Sequence, residues 1–398
     1  MTSFRNLNLR KSFRRWASSV GRSWELLAAK VRHSLGRGPA PMRLLLLSDG
    51  RSAQSEVQFD PIFRNRRELR DAFGWIVEHR PLDINQPPPP RLLARYDIIG
   101  FKLDYRTPPG DVLRHASHLA EAKPDRTSLV YFDGNDEMTI QWPGLLNHCD
   151  VYWKKHVFRD RSQYLRRPRG GTNLVEYALG EEADADRLLP PGEAQLRKIF
   201  CGSSIGLDQK IAALSPLLRD DAPLPLPAER TNDVVLRADV PDNWMGRLRR
   251  PAVEVLRSLQ GRRAILLPLG RVPQDQYARE MMESRICVSP FGYGEICWRD
   301  FEAIAYGCLL FKPAMDHVES RPNIFKPFET CVPLAWDFSD LGEKLDYYLA
   351  RPDESARMIA RARQVMRECL QPEWYVNVVR EMLSHLASCR SGAGSPRA

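Results

Sequence analysis

Short unbroken apolar runs and stripes of helical spacing succeed one another along the chain, the pattern of strands buried on both faces between amphipathic helices. Residues 42–48 (Met-Arg-Leu-Leu-Leu-Leu-Ser), ending in Asp49-Gly50, predict a first strand, and residues 96–101, 128–132 and 150–153 predict three more. Leu69, Phe73, Ile76 and Val77 give residues 66–79 the spacing of a helix, and the proline run 87–90 is a stiff connector. With chain enough for crossovers between the strands, a parallel sheet is the economical arrangement for this half. Asp49, Lys102, Asp104, Asp133 and Asp136 would then fall at its carboxyl edge, although Asp and Asn after a strand are also ordinary turn formers and caps.

The character changes over residues 161–194, where Arg166-Arg-Pro-Arg-Gly-Gly, an acidic patch (Glu181, Glu182, Asp184, Asp186) and Pro190-Pro-Gly mark a boundary. Lys198-Ile-Phe-Cys-Gly-Ser-Ser-Ile-Gly-Leu is expected to restart the strand-loop pattern as the first strand of a second domain, with Gly202, Ser203 and Ser204 where a diphosphate could approach the backbone. Helices are expected over 208–219, 245–260, 274–284, 338–350, 354–368 and 374–386, and a strand over 264–268. Residues 285–313 predict a βαβ unit: an apolar run (286–288), a loop with Gly292 and Gly294, a helix (298–305), a stop at Gly307 and a second apolar run (308–311). Such a loop lies at the carboxyl edge of its sheet, where open α/β sheets bind ligands and a helix amino terminus attracts phosphate. The expected organisation is an α/β protein with parallel sheets: an amino-terminal helix (1–40), domains at 41–180 and 195–371 joined by a linker (181–194), and a carboxyl-terminal helix and tail (372–398).

In the first 40 residues Phe13, Trp16, Val20, Trp24, Leu27, Val31 and Leu35 fall on one face of a helix. Nine cations against Glu25 alone put +8 of the chain's net +9 there. This basic amphipathic helix suits the interface of an anionic membrane; its other natural uses are docking on the protein's own body or on a second subunit. The remainder is near neutral, which argues against a nucleic-acid-binding face.

Charged residues at 27% and apolar residues at 43% are those of a globular protein. No apolar run reaches the roughly 20 residues of a spanning helix, and no secretory signal is expected at the amino terminus. The eight cysteines are dispersed without zinc spacing, so reduced thiols and a cytoplasmic location are expected, at the inner membrane face if the helix binds lipid. No Gly-x-Gly-x-x-Gly follows the first strand, which counts against a nicotinamide-dependent oxidoreductase.

Ser289-Pro-Phe-Gly-Tyr-Gly and Trp298-Arg-Asp-Phe-Glu-Ala-Ile-Ala-Tyr-Gly-Cys, leading into residues 309–311, resemble the donor-binding region of glycosyltransferases with two facing Rossmann-like domains, the GT-B architecture, in its group 1 and exostosin-like varieties. The resemblance implies a nucleotide-sugar donor held by the second domain and a glycan or lipid-linked acceptor on the first. It implies no metal and no cofactor beyond that donor. It places Glu302 on the ribose hydroxyls, Arg299 on the diphosphate or the glycosyl group, and Gly292, Tyr293 and Gly294 in the phosphate loop. Many retaining members carry two glutamates with seven residues between them. Here Glu295 and Glu302 have six between, so the family's first glutamate falls on Gly294 and Glu295 stands one place on. Asp133, Asp104, Asp49 and His148 are candidate bases, Asp133 foremost. The rival reading is a non-catalytic scaffold of the same fold that binds a glycan or nucleotide sugar in envelope assembly.

Overall fold

The computed structural model describes residues 19–51, 57–184, 190–222, 229–267, 270 and 272–391, with side chains from residue 25 onward. Helix α1 (Ser19–Ser34) precedes strand β1 (Met42–Ser48), whose Leu44 to Leu47 are all buried. Helix α2 (Arg66–Phe73) ends where Gly74 turns left-handed (φ 70°), and β2 (Trp75–Pro81) follows, paired in parallel with β1 from Met42 opposite Trp75. This corrects the single helix expected over 66–79. Only glycine serves at 74, since a Cβ there would lie 2.1 Å from the Ala40 carbonyl oxygen. The Trp-Ile-Val run beyond it prefers a pleated, buried surface.

Strands β3 (Ile98–Lys102), β4 (Ser128–Asp133) and β5 (Val151–Lys154), with helix α3 (Pro109–Ala122) between the first two, continue the sheet. A short strand, β6 (His156–Phe158), leaves it. The next, β7 (Ile199–Cys201), pairs in parallel with β5, giving a six-stranded sheet in the order β2-β1-β3-β4-β5-β7. The stretch expected to open the second domain therefore closes the first sheet, and residues 202–204 sit at that sheet's carboxyl edge. The expected helix over 208–219 is broken into α4 (Gln209–Ala212) and a 3-10 turn (Ser215–Leu218), with Pro216 at the start of the turn.

The second sheet begins at β8 (Asn232–Val235) and runs through helix α5 (Trp244–Leu259), β9 (Ile265–Leu266), helix α6 (Gln274–Met282), β10 (Ser284–Val288), helix α7 (Trp298–Ala305) and β11 (Leu309–Pro313). After β12 (Val318–Ser320), β13 (Val332–Leu334) completes a five-stranded sheet in the order β13-β11-β10-β8-β9. All of its pairings are parallel. The βαβ unit is as expected, and so are helices near the positions of α5, α6, α8 (Leu341–Leu349) and α9 (Pro352–Cys369).

The lobes are bound together in part by strand pairing and a returning helix. Strand β12 of the second lobe pairs antiparallel with β6 of the first, Val318 opposite Phe158. Helix α10 (Pro372–Ser391) returns to the first lobe, where Arg390 donates to the Arg126 carbonyl (3.0 Å) and Ser128 Oγ (2.8 Å) and His385 packs on Phe200. The expected cut at residue 372 thus marks where the chain crosses back. One apolar core runs from the first sheet across the junction to Phe291, Ile296 and Phe301, and a second fills the far face of the second sheet around Val234, Val288 and Leu341.

Helix α1 is held to the first lobe by the buried Ala29 and by ion pairs Glu25–Arg66 (2.8 Å) and Arg32–Asp71 (3.2 Å). Leu27, Val31 and Leu35 face solvent at 51%, 48% and 60% exposure, so the lower half of the expected stripe is uncovered. Phe13 and Trp16, and the side chains of Val20 and Trp24, lie outside the described residues. No helix among the described residues is long and apolar enough to cross a membrane.

Candidate active site

In the second sheet the chain runs from β8 outward to β9, then crosses to the other side of β8 to lay down β10. The loops leaving β8 and β10 therefore diverge, and a crevice opens at their carboxyl ends. A cavity of about 670 Å³ occupies it, bounded by the segment after β8 (Arg237), by α5 (Arg249), by α6 (Tyr277) and by the first turns of α7 (Arg299, Glu302).

Three arginines are fixed there by their own hydrogen bonds. Arg237 is clamped to Glu280 through Nε (2.6 Å) and one terminal nitrogen (2.7 Å), while its buried Nη1 has no hydrogen-bond partner among the described residues. Arg249 donates to the carbonyls of Phe291 (2.8 Å) and Asp239 (2.5 Å). Arg299 donates to Ser289 Oγ (3.0 Å) and to the carbonyls of Arg237 (2.7 Å) and Pro290 (2.8 Å). Burial, and then the charge of Arg299, push the Arg249 guanidinium down to about 10. Cations crowded in this way are stabilised by an anion placed among them.

Glu302, 5% exposed, receives Tyr277 Oη at 2.9 Å on one oxygen and Lys210 Nζ at 2.7 Å on the other. Burial, and then the Glu302 charge, raise the Tyr277 phenol, which stays protonated as a donor. Asp300 behind it is structural. Its carboxylate accepts from the backbone N–H of Cys297 (2.8 Å), capping α7, and from Ser289 Oγ, and it pairs with the fully buried Lys312 at 2.9 Å.

The other sequence candidates fall elsewhere. Gly202 packs on Trp153, with no room for a side chain because a Cβ would lie 1.9 Å from the indole nitrogen. Ser204 donates its N–H to the Arg321 carbonyl (2.7 Å) and, like Gly202 and the buried Ser203, lines no part of the crevice. The diphosphate cradle expected at 202–204 therefore does not face this cavity; the segment after β8 does. Glu295 is buried at the lobe junction, accepting from Asn173 Nδ2 (2.7 Å), with His317 at 3.4 Å and His156 at 3.9 Å. Asp133 is buried against Lys154 (2.9 Å) and Tyr152 Oη (2.8 Å). Burial would raise its carboxyl, but Lys154 and Lys102 outweigh that and hold it below the ordinary value. Both acids are thus engaged away from the large cavity. Asp49 accepts the N–H of Asp104 (2.7 Å), whose own carboxylate holds Arg106 (2.8 Å).

Gly292, Tyr293 and Gly294 instead line a second cavity of about 180 Å³ between the lobes, with Gln58, Gly134 and Lys155 of the first lobe opposite. Arg249, Cys297 and Trp298 border both cavities, so the two adjoin. Tyr293 is 58% exposed and stands edge-on to Trp244. At Gly294 a Cβ would sit 1.7 Å from the Asp136 carbonyl oxygen, so a side chain there would wedge the lobes apart. Gly294→Ala is accordingly expected to lose about 1–3 kcal/mol of stability, read as a lowered Tm; a Tm unchanged within error would show that the lobes give way freely.

Arg237, Arg249, Tyr277 and Lys210 were not among the sequence candidates. For Arg249 a signal existed. Met245, Leu248, Ala252, Val253 and Leu256 form the buried stripe of α5, and Arg249 falls within it while Arg247 and Arg250 face solvent. A cation on the apolar face of a helix needs a partner or a ligand. No three His, Cys, Asp or Glu side chains among the described residues are arranged to hold a metal ion.

Fold and crevice define an α/β protein of two parallel-sheet lobes with an anion-receptive cleft in the second. Residues 249–384, which include Arg249, Arg299 and Glu302, match the model of the family described as Glycosyl transferase-like. No curated protein matches the chain. Similar solved structures include a glycosyltransferase from Rickettsia africae (12% identity, TM-score 0.48, covering 87% of this chain and 99% of that one). Others are Anabaena HepE in complex with UDP (12%, 0.45, 86% and 99%) and sucrose-phosphate synthase from Thermosynechococcus elongatus (12%, 0.41, 87% and 99%).

Proposed function

We propose that the protein is a glycosyltransferase that moves a sugar from a nucleoside diphosphate sugar to a glycan or lipid-linked acceptor. The observation that carries this is the gathering of three fixed arginines and one buried carboxylate around a single cavity, with Arg249, Arg299 and Glu302 inside the region matching that family. Guanidinium donors on Arg237, Arg249 and Arg299 would hold the diphosphate and stabilise it as it departs. Glu302 would accept the ribose hydroxyls, having two oxygens for two vicinal donors. The sugar would then point into the smaller cavity, where Gln58 Oε1 is buried without a hydrogen-bond partner among the described residues and the Lys155–Asp136 ion pair lines the wall. Positioning the acceptor there supplies much of the remaining rate.

The test is a thermal-shift screen against UDP, GDP and ADP, followed by assay of nucleoside diphosphate release from the matching sugars. A ligand at 100 times its Kd adds about 2.7 kcal/mol of stability, so a clear rise in Tm with one base is expected. No shift with any of them would leave a glycan-binding scaffold in place of the enzyme.

We further assign the uncovered row Leu27, Val31 and Leu35 to an anionic bilayer at the cytoplasmic face, because the first 40 residues carry a charge of +8. Changing all three to serine should release the protein from phosphatidylserine vesicles without altering its nucleotide response. Unchanged sedimentation with the vesicles would remove the assignment.

A further inference from the structure

Lys210 enters the cleft from outside the second sheet. It lies on α4, just after β7 of the first sheet, and its ammonium is 2.7 Å from Glu302 and 4.9 Å from the centre of the Trp298 ring. Its backbone is anchored. Asp208, two residues earlier, caps α4 by accepting the Ile211 N–H (2.8 Å) and also accepts Trp298 Nε1 (2.5 Å). Its side chain is held more loosely: it is 45% exposed, with the ion pair to the buried Glu302 and the face of the Trp298 ring as its contacts. A half-exposed pair of this kind is held weakly, and lysine is a point charge on a flexible stem.

Resting on the proposed nucleotide site, we infer that Lys210 is a latch on that site and sets its preference for phosphorylated ligands. Lys210 donates to one of the Glu302 oxygens. Tyr277 donates to the other, so ribose hydroxyls approaching this carboxylate compete with the Lys210 ammonium for its remaining acceptor sites. A nucleoside displaces the ammonium and offers nothing in return. A nucleoside diphosphate displaces it and supplies phosphate oxygens in the same cavity, which Lys210 also lines. The lysine therefore opposes the first ligand and assists the second. No backbone movement is needed, because the Asp208 anchor stays in place.

The experiment compares Lys210→Met with the wild type by calorimetric titration, using uridine, guanosine and adenosine with UDP, GDP and ADP. For the base that binds, Lys210→Met should hold the nucleoside several-fold more tightly and the diphosphate about 10-fold less tightly, and Lys210→Arg should restore the diphosphate affinity. Equal changes for nucleoside and diphosphate, or none, would overturn the latch and leave the nucleotide site standing. Failure of the wild type to bind any of the three diphosphates would instead overturn the site itself, and the latch with it. The Tm of each variant identifies one that fails to fold, and Lys210→Gln, which also removes the charge, then takes the place of Lys210→Met in the comparison.

Discussion

Glu302→Ala is expected to lower the affinity for the nucleoside diphosphate, and the rate of transfer, by about 10- to 100-fold while the protein stays folded. The size follows from the lost bonds: hydrogen bonds to a charged group are worth about 1.5–3 kcal/mol, and Glu302 is the carboxylate that both Tyr277 and Lys210 reach. The fold should survive because Lys210, already half exposed, turns to water, leaving only the Tyr277 hydroxyl short of a partner. Glu302→Gln should fall between, since it keeps one acceptor oxygen and the shape. Titration calorimetry gives the affinity and circular dichroism the fold. Wild-type affinity in Glu302→Ala would mean that the ribose is held elsewhere.

The largest loss of stability should come two residues away. Asp300→Ala leaves Lys312, 0% exposed, without the carboxylate that holds it at 2.9 and 3.0 Å, and it also uncaps α7. Removing one partner of a buried pair costs about 3–5 kcal/mol, with about 1 more for the cap. At about 2–4 °C per kcal/mol for a chain of this order of size, the midpoint of thermal unfolding should fall by ten degrees or so. The double change Asp300→Leu with Lys312→Met should regain most of it, because no charge then remains buried. A Tm within two or three degrees of wild type for Asp300→Ala would show that water reaches Lys312.

These two acids also show what could be read from the residues alone. Trp298 to Gly307 has helical spacing, a glycine stop and strands on both sides, so the unit is legible from pattern, whereas the placing of Arg299 and Glu302 at the site comes from the resemblance to a family. Asp300 and Lys312 are twelve positions apart and meet only because β11 returns beside β10. β8 escaped because Asn232 and Asp233 head a four-residue strand, and without it Arg237 had no strand end to mark it. The error at 198–207 has a different cause. An apolar triplet followed by Gly-Ser-Ser reads alike wherever it pairs, and its place beside β5 is set by contacts over 40 residues away. Helix against strand at 66–79 turned on one residue, Gly74, whose positive φ reflects how closely the Ala40 backbone passes.

The return of α10 to the first lobe bears on how the chain emerges from the ribosome. Domains generally fold as units, amino-terminal first, during synthesis. Here the first six-stranded sheet gains its edge strand at Cys201 and its covering helix only at Pro372–Ser391. Tyr375, Val378, Val379 and Met382 of that helix are almost wholly buried. Until the last turn is made, the apolar patch they cover stays open to water. The second lobe, complete at Cys369, is therefore free to finish folding before the first, against the order of translation, and a nascent chain halted short of residue 372 would be a ready client for chaperones.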